Sequence, residues 1–292
     1  MTAMDDVAVV VPAFNAADYL GEALDSIAAQ TRPPVEVVVI DDGSTDGTPA
    51  IAEDRGVRCI TQENAGPAAA RNRGIKETGA PLIAFLDADD RFVPEKLDRQ
   101  VAELHSTDAV ACFTDAWNLV DGVRCDRKVR TDMAGGAVHL ADLLPGNPVI
   151  CSSVVVRRDA LAEVGDFDAD PVLVSTEDYD LWLRLLELGE MRYIADPLAD
   201  YRVHCASLSD NLRFLSGIDR IMEKLAERQA GLAGLAELVA RRRAGVRIDA
   251  AYDAVRAGRR RQARELLSEA RRLGGWSWPL ARVWMRARWP FS

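Results

Sequence analysis

Long apolar runs are missing from this sequence of 292 residues. No stretch approaches the roughly 18 uninterrupted apolar residues of a membrane span. The opening MTAMDDVAVVVPAF has no basic segment, and Pro12 interrupts its apolar run, so no signal peptide is expected. Cysteine is sparse. Cys59, Cys112, Cys125, Cys151 and Cys205 are odd in number, far apart and form no CxxC pair. Neither a disulfide framework nor a zinc site is indicated, and a reducing cytosol is the expected compartment.

What remains is ordinary globular composition, 48% hydrophobic and 28% charged, enough for one large core and an appendage. The net charge of −10 hides a division. Residues 241–292 hold fourteen Arg against Asp249, Asp253, Glu265 and Glu269, a balance of +10, so the rest of the chain carries −20. An acidic body repels polyanions, while a basic tail is drawn to an anionic surface.

VAVVV (7–11), VEVVVI (35–40) and PLIAFL (81–86) are strand-length apolar runs bounded by turn residues. Near-continuous apolar strands point to a sheet buried on both faces, hence parallel. Between them, ADYLGEALDSIAAQ places Leu20, Ala23, Leu24 and Ile27 at helical spacing, and GPAAARNRGIKETG reads as a helix capped by Gly79. Alternation of strand and helix predicts an α/β sheet with right-handed crossovers. PEKLDRQVAEL reads as a helix, DAVACFTDAWNLV contains a strand with Cys112 and Phe113 in the core, and residues 121–150 read as loop, where acceptor-side variation is expected. STEDYDLWLRLLELG is an amphipathic helix closed by Gly189. Beyond about residue 212 the texture turns to Ala, Leu and Arg at helical period, with two helices hinged near Gly258. The expected domains are 1–212 and a helical region, 213–292, with a Trp/Arg-rich tail.

Each early strand runs into polar residues: PAFN, DDGSTDGT and DADD. Ligands of open α/β sheets bind beyond the carboxyl ends of the strands, so these clusters should converge. In FLDADD, residues two apart on an extended backbone share a side, which sets Asp87 and Asp89 together and Asp90 apart. Paired carboxylates suit Mg²⁺ or Mn²⁺, whose other positions are filled by phosphate and water. The plainer reading is a turn with Asp90 hydrogen-bonded to the next helix. Pro12, Phe14, Asn15, Asp41 and Asp42 are placed to hold a nucleoside, with Phe14 along base or ribose, Asp42 on a base imide and Asp41 on the sugar; alternatively DDGS only turns the chain. Arg71 can fork to phosphate or base, whereas Arg73 reads as a solvated helix residue.

In this order, VVVPAFNAADYLGEALDSIAAQT, VVVIDDGSTDGT, NAGPAAARNRGI, FLDADD, STEDYDLWLRL and YRVH resemble the family-two glycosyltransferases of the GT-A fold, inverting enzymes that use nucleotide-diphospho sugars. The resemblance covers about residues 5–210. It implies a GT-A type fold, a mostly parallel central sheet flanked by helices, here with a C-terminal α-helical extension. It also implies base and nucleoside contacts from Asp42 and Asp41, with Asp87 serving nucleotide and metal. Asp89 becomes the direct ligand of Mn²⁺ or Mg²⁺, Asp178 the catalytic base with Glu177 beside it, and His204 lies near diphosphate or metal. Arg202 is a supporting residue that pairs with a carboxylate or reaches phosphate.

Inverting transfer requires stabilisation of a leaving diphosphate, an in-line acceptor hydroxyl and a carboxylate to take its proton. Asp178 also fits near a capping box, Ser175 to Asp178, and first-turn acids favour the helix dipole, so both roles stay open; Asp180 reads as first-turn charge. His204 is equally open to a structural role. The expected partners are a nucleotide-diphospho sugar, UDP- or dTDP-linked, and a glycan or lipid-linked acceptor. Residues 276–292, with four of the six Trp, suit an anionic membrane surface at the inner face of the plasma membrane or packing on the protein's own core. Nucleic acid is not expected. Two other classes stand beside this reading. One is a nucleotide-sugar-binding protein without turnover. The other is a nucleotidyltransferase, which would carry a Gly-rich basic loop where this chain has PAFNAADYL.

Overall fold

The computed structural model describes residues 5–128, 135–204, 211–275, 279 and 281–283. They divide into two compact units, Met1–Leu140 with Asn147–Ala169 and Glu177–Cys205, and Ala141–Gly146 with Asp170–Thr176 and Ala206–Ser292.

The first unit is built on one sheet. Its strands and helices begin β1 (Val7–Ala13), α1 (Leu20–Ala28), β2 (Glu36–Asp41), α2 (Thr48–Asp54), β3 (Arg58–Thr61), α3 (Pro67–Glu77), β4 (Leu82–Phe85) and β5 (Arg91–Phe92). They continue α4 (Lys96–His105), β6 (Ala111–Val120), β7 (Val123–Arg127) and β8 (Gly136–Val138), and, after the short α5 (Leu140–Leu143), which belongs to the second unit from Ala141 on, β9 (Val155–Arg157), α6 (Arg158–Val164), α7 (Glu177–Leu188) and β10 (Met191–Arg202). The strand order is β3-β2-β1-β4-β9-β6-β10-β5, with β7 on β6 and β8 on β10. Pairing is parallel from β3 to β4 and again between β6 and β10, while β9 runs antiparallel to both its neighbours.

The continuous apolar character of β1 follows from burial on both faces. Val7, Val9 and Val11 pack with Leu20, Leu24 and Ile27 of α1 and with Leu97 and Val101 of α4. Val10 faces the other way, onto α3, where a Cβ on Gly74 would lie 2.2 Å from its Cγ1. Only glycine permits that approach. On the same layer Phe85, Phe167 and Trp182 form a chain of edge-on rings.

Several expectations are corrected. Gly79 does not cap α3; the helix ends at Glu77, Thr78 is extended, and its hydroxyl donates back to the Gly74 and Ile75 carbonyls. Gly79 instead donates its N–H to Glu36. The stretch 121–150 is not all loop: it holds β7, β8 and α5. α2 and β3 follow the DDGSTDG stretch, where the sequence offered no reading. The four described cysteines Cys59, Cys112, Cys125 and Cys151 are free.

The second unit contains α8 (Leu215–Arg228), α9 (Leu235–Arg256) and α10 (Arg260–Gly274). α9 and α10 form a hairpin turned at Gly258, whose φ of +75° suits glycine, around Ala251, Ala254, Leu266 and Leu267. Arg247 joins the three helices by pairing Asp219 at 2.7 Å and Glu269 at 3.0 Å. Among the described residues no helix is long and apolar enough to cross a membrane. Of the tail read as membrane-facing, only 279 and 281–283 belong to the described residues.

Candidate active site

A cleft of about 600 Å³ opens at the carboxyl ends of β1, β2 and β4. Of the residues expected at a site, its wall brings together Pro12, Phe14, Asn15, Asp42, Arg71, Asp87, Asp89 and His204. Asp41, Glu177, Asp178 and Arg202 lie outside that wall. Tyr19, Asn64, Gly66 and Pro67 line it as well and were not singled out from sequence, although NAADYL and NAGP carry them between two of the motifs.

Two loops shape the rim. Asn15, at φ +48°, donates its N–H to Ser44 Oγ at 2.8 Å, and its Oδ1 accepts from Thr45 N at 2.9 Å. Asparagine tolerates that left-handed backbone, and its amide locks PAFN to DDGST. Phe14 is left half exposed over the opening. Asp42 accepts from Gln62 Nε2, Ala65 N and Gly66 N at 2.8 to 2.9 Å, so it orders the loop that starts α3 as well as facing the cleft. Asp41 is fully buried behind it, with Oδ1 accepting from Ser44 N.

The acidic stretch after β4 is a turn, closed by Asp90 N donating to Asp87 O at 3.0 Å, and not the extended segment assumed from sequence. The grouping survives the different geometry: Asp87 and Asp89 face the cleft while Asp90 is buried. Asp90 accepts from Ser152 Oγ at 2.6 Å and from Arg202 N at 2.8 Å. Burial, then the charges of Asp89 and Asp87, hold its pKa well above the usual carboxylate range. Asp89 is raised by burial and by Asp87, against the lowering pull of His204, whose Nε2 lies 2.8 Å from Asp89 Oδ2.

Arg71 spans the inner wall. Its guanidinium donates to Asp87 Oδ1 at 2.7 Å and Glu177 Oε1 at 3.0 Å, and lies 5.3 Å from the Phe167 ring centroid. Arg202 donates to the Asp89 carbonyl and to Glu22 Oε2 and lies over the Tyr19 ring, so it is spent on the protein itself. Asp178 begins α7. One oxygen accepts the Tyr179 N–H at 2.6 Å, and the other accepts from Asn147 Nδ2 at 3.2 Å. Desolvation, with Glu177 adding repulsion, lifts its pKa to about 7. Arg71 and the Tyr179 N–H oppose that rise. Asp180, read as first-turn charge, is buried and paired with Arg184 at 2.8 Å.

Among the described residues no group of three or more His, Cys, Asp or Glu is arranged to hold a metal. A divalent ion that takes one or two protein carboxylates and completes its shell with phosphate and water does not need one. Asp89 and His204 offer adjacent oxygen and nitrogen donors, with Asp87 on the same wall. The crowded, partly buried carboxylates there are the donors such an ion would relieve, so the residues fit it.

The sheet with its polar cleft at the strand ends is an α/β architecture of the kind that binds ligands beyond the carboxyl ends of its strands. The chain belongs to glycosyl transferase family 2, which it matches over residues 8–165. It is 29% identical over 214 residues to TuaG of Bacillus subtilis (strain 168), a glycosyltransferase assigned to teichuronic acid biosynthesis, covering 70% of this chain and 82% of that one. It is 28% identical to Escherichia coli WfaP, a UDP-Glc:α-D-GlcNAc-diphosphoundecaprenol β-1,3-glucosyltransferase, over 71% and 81% of the two chains. Longer Rickettsia relatives are spanned over 30% to 66% of their length. The fold matches S. aureus TarS 1–349 in complex with UDP at a TM-score of 0.67, with 21% identity, covering 97% of this chain and 90% of that one.

Proposed function

We propose that this glycosyltransferase moves a sugar from a UDP- or dTDP-linked donor to a hydroxyl of a glycan or lipid-linked acceptor with inversion. One observation carries the reading. On one wall of the cleft His204 meets Asp89, and two residues earlier in the same turn Asp87 meets Arg71, which reaches on to Glu177 beside Asp178. This arrangement ties a candidate diphosphate site to a carboxylate whose pKa, about 7, suits a base at neutral pH. WfaP, named for a UDP-glucose donor and a lipid-diphosphate-linked GlcNAc acceptor, supports the substrate classes.

In this reading Phe14, Asn15 and Pro12 border the nucleoside, with Asp42 and the buried Asp41 shaping its pocket. Asp89, with Asp87 and His204, would hold Mn²⁺ or Mg²⁺, which when bound supplies positive charge against the leaving diphosphate. Asp178 takes the proton of the acceptor hydroxyl as that oxygen attacks the anomeric carbon from the face opposite the leaving group. Arg71 and Glu177 fix the distance between the two ends of the site. Residues 1–212 form the transferase domain and 213–292 a helical extension. The enzyme works in the cytoplasm, peripheral to the inner face of the plasma membrane through 276–292, in cell-surface polysaccharide synthesis.

Thermal-shift titration with UDP- and dTDP-sugars, with and without Mn²⁺, tests the donor site. The best donor should stabilise the wild type only with the ion and should lose that effect in Asp89→Ala. A shift that is independent of Mn²⁺ and unchanged in Asp89→Ala removes the metal-diphosphate assignment.

A further inference from the structure

Asn147 lies in the connection GNPVICSS, ahead of β9, and no sequence motif points to it. Its side chain is held at both ends. Oδ1 accepts the Val149 N–H at 3.1 Å, an Asx turn two residues on, and this aims the amide nitrogen outward. Nδ2 then donates to Asp178 Oδ2 at 3.2 Å. The Asp178 Oδ1 is occupied by the Tyr179 N–H at 2.6 Å, so the two oxygens are distinguished: one is fixed by the helix, the other faces Asn147. Asn147 itself is exposed, and its amide carries a second N–H.

A hydroxyl about to attack needs two things at once, an acceptor for its proton and a donor to hold its oxygen. A carboxylate oxygen and an amide N–H side by side supply both. We infer that Asn147 is a positioning residue of the acceptor side, orienting Asp178 Oδ2 with one amide N–H and holding the acceptor hydroxyl oxygen with the other. The inference rests on Asp178 being the base. The acceptor group is an alcohol of a sugar ring, and water fills the same place when the donor is hydrolysed. The hydrogen bond from Asn147 favours the charged form of Asp178. The groups that also act on Asp178 are Glu177 beside it, Arg71 from α3, the Tyr179 N–H and Asp87 from the turn after β4, while the buried Cys151 thiol is pushed up by burial and by these carboxylates.

Two substitutions separate this role from a structural one. Asn147→Leu removes both the Asx turn and the donor. Asn147→Asp keeps an oxygen for Val149 N but replaces the donor with a carboxylate facing Asp178. A residue needed only to shape the connection would be served by aspartate. A positioning residue would be harmed more by aspartate than by leucine. The midpoint of Asp178 is read by ¹³C NMR of aspartate carboxyls, its signal identified by absence from Asp178→Asn. It should rise by roughly half a pH unit in Asn147→Leu and by about one or more in Asn147→Asp. Hydrolysis of UDP-glucose and UDP-N-acetylglucosamine with Mn²⁺ should fall at least about tenfold in Asn147→Asp at pH 7, with donor KM unchanged. An unmoved midpoint in both variants, or Asn147→Asp behaving as wild type, overturns the inference. Wild-type hydrolysis by Asp178→Asn would overturn the base assignment instead, whatever the Asn147 variants do.

Discussion

Arg71 and Asp87 form a 2.7 Å ion pair on the wall of the cleft, and the same guanidinium reaches Glu177 at 3.0 Å. The arginine side chain is 6% exposed and that of Glu177 is 8% exposed, so neither charge is well solvated. Removing the arginine leaves two carboxylates facing each other across a partly dry gap.

Arg71→Met should therefore destabilise the protein by about 3 kcal/mol, read from urea unfolding at neutral pH, because a broken buried pair strands its partners. Arg71→Lys should lie between, since an ammonium keeps the charge but cannot fork to two carboxylates. A wild-type unfolding midpoint for Arg71→Met would show that the bridge contributes nothing.

Asp178 gives two pH signatures. The proposed base must be ionised, so turnover should rise through about pH 7, and Asp178→Asn should bind donor but lose transfer. Stability runs the opposite way. The folded value, about 7, lies above the free value of 3.8, so the folded state holds the proton more tightly. That contribution is fully present below the unfolded value and is lost as pH rises through about 7. Asp178→Asn should gain stability relative to wild type across this interval. Parallel curves for the two proteins would contradict the shift.

Lys96 is fully buried in α4, its Nζ without a hydrogen-bond acceptor among the described residues and 4.1 Å from the Phe92 ring centroid. Burial lowers its pKa from 10.5 to about 7. The unfolded chain binds the extra proton between these values, so stability attributable to this residue rises with pH across that window. Lys96→Met keeps the shape and removes the charge. It should stabilise the fold by ~1–4 kcal/mol at slightly acid pH, the gain shrinking as pH rises. Loss of stability on substitution would reveal a partner for the amine.

Deleting residues 276–292 removes four Trp and three Arg. Co-sedimentation with vesicles rich in anionic lipid should drop, and the wild-type binding should weaken with salt. Equal sedimentation of the two proteins would end the membrane assignment.

Legibility followed burial. β1, β2 and β4 were readable because short apolar runs with no exposed face, β-branched in β1 and β2, have few alternatives, and α7 because Leu181, Trp182 and Leu185 recur on one side. β7 was not, because VRCDR is exposed along its whole length and is held by backbone pairing to β6 and by ion pairs of Arg124 and Arg127 to Asp200 and Asp115, which lie far away in the sequence. Gly79 misled because a threonine hydroxyl can end a helix without a left-handed residue. The convergence of PAFN, DDGS and DADD was visible from their places at strand ends. The commitment of Arg71 to Asp87 and Glu177 was not, since the partners lie 16 and 106 residues away. Asn147 carries no signal at all outside the geometry of its connection.

The buried Asp90 is fastened on one oxygen to the backbone of β10 and on the other to Ser152, just ahead of β9. Three stretches of chain from both halves of the sheet thus meet beneath one short turn. Sliding β10 along β6 by a single residue would pull that turn with it and separate Asp89 from His204. The spacing of the cleft is set by the sheet beneath it, much as the span of an arch is set by its footings.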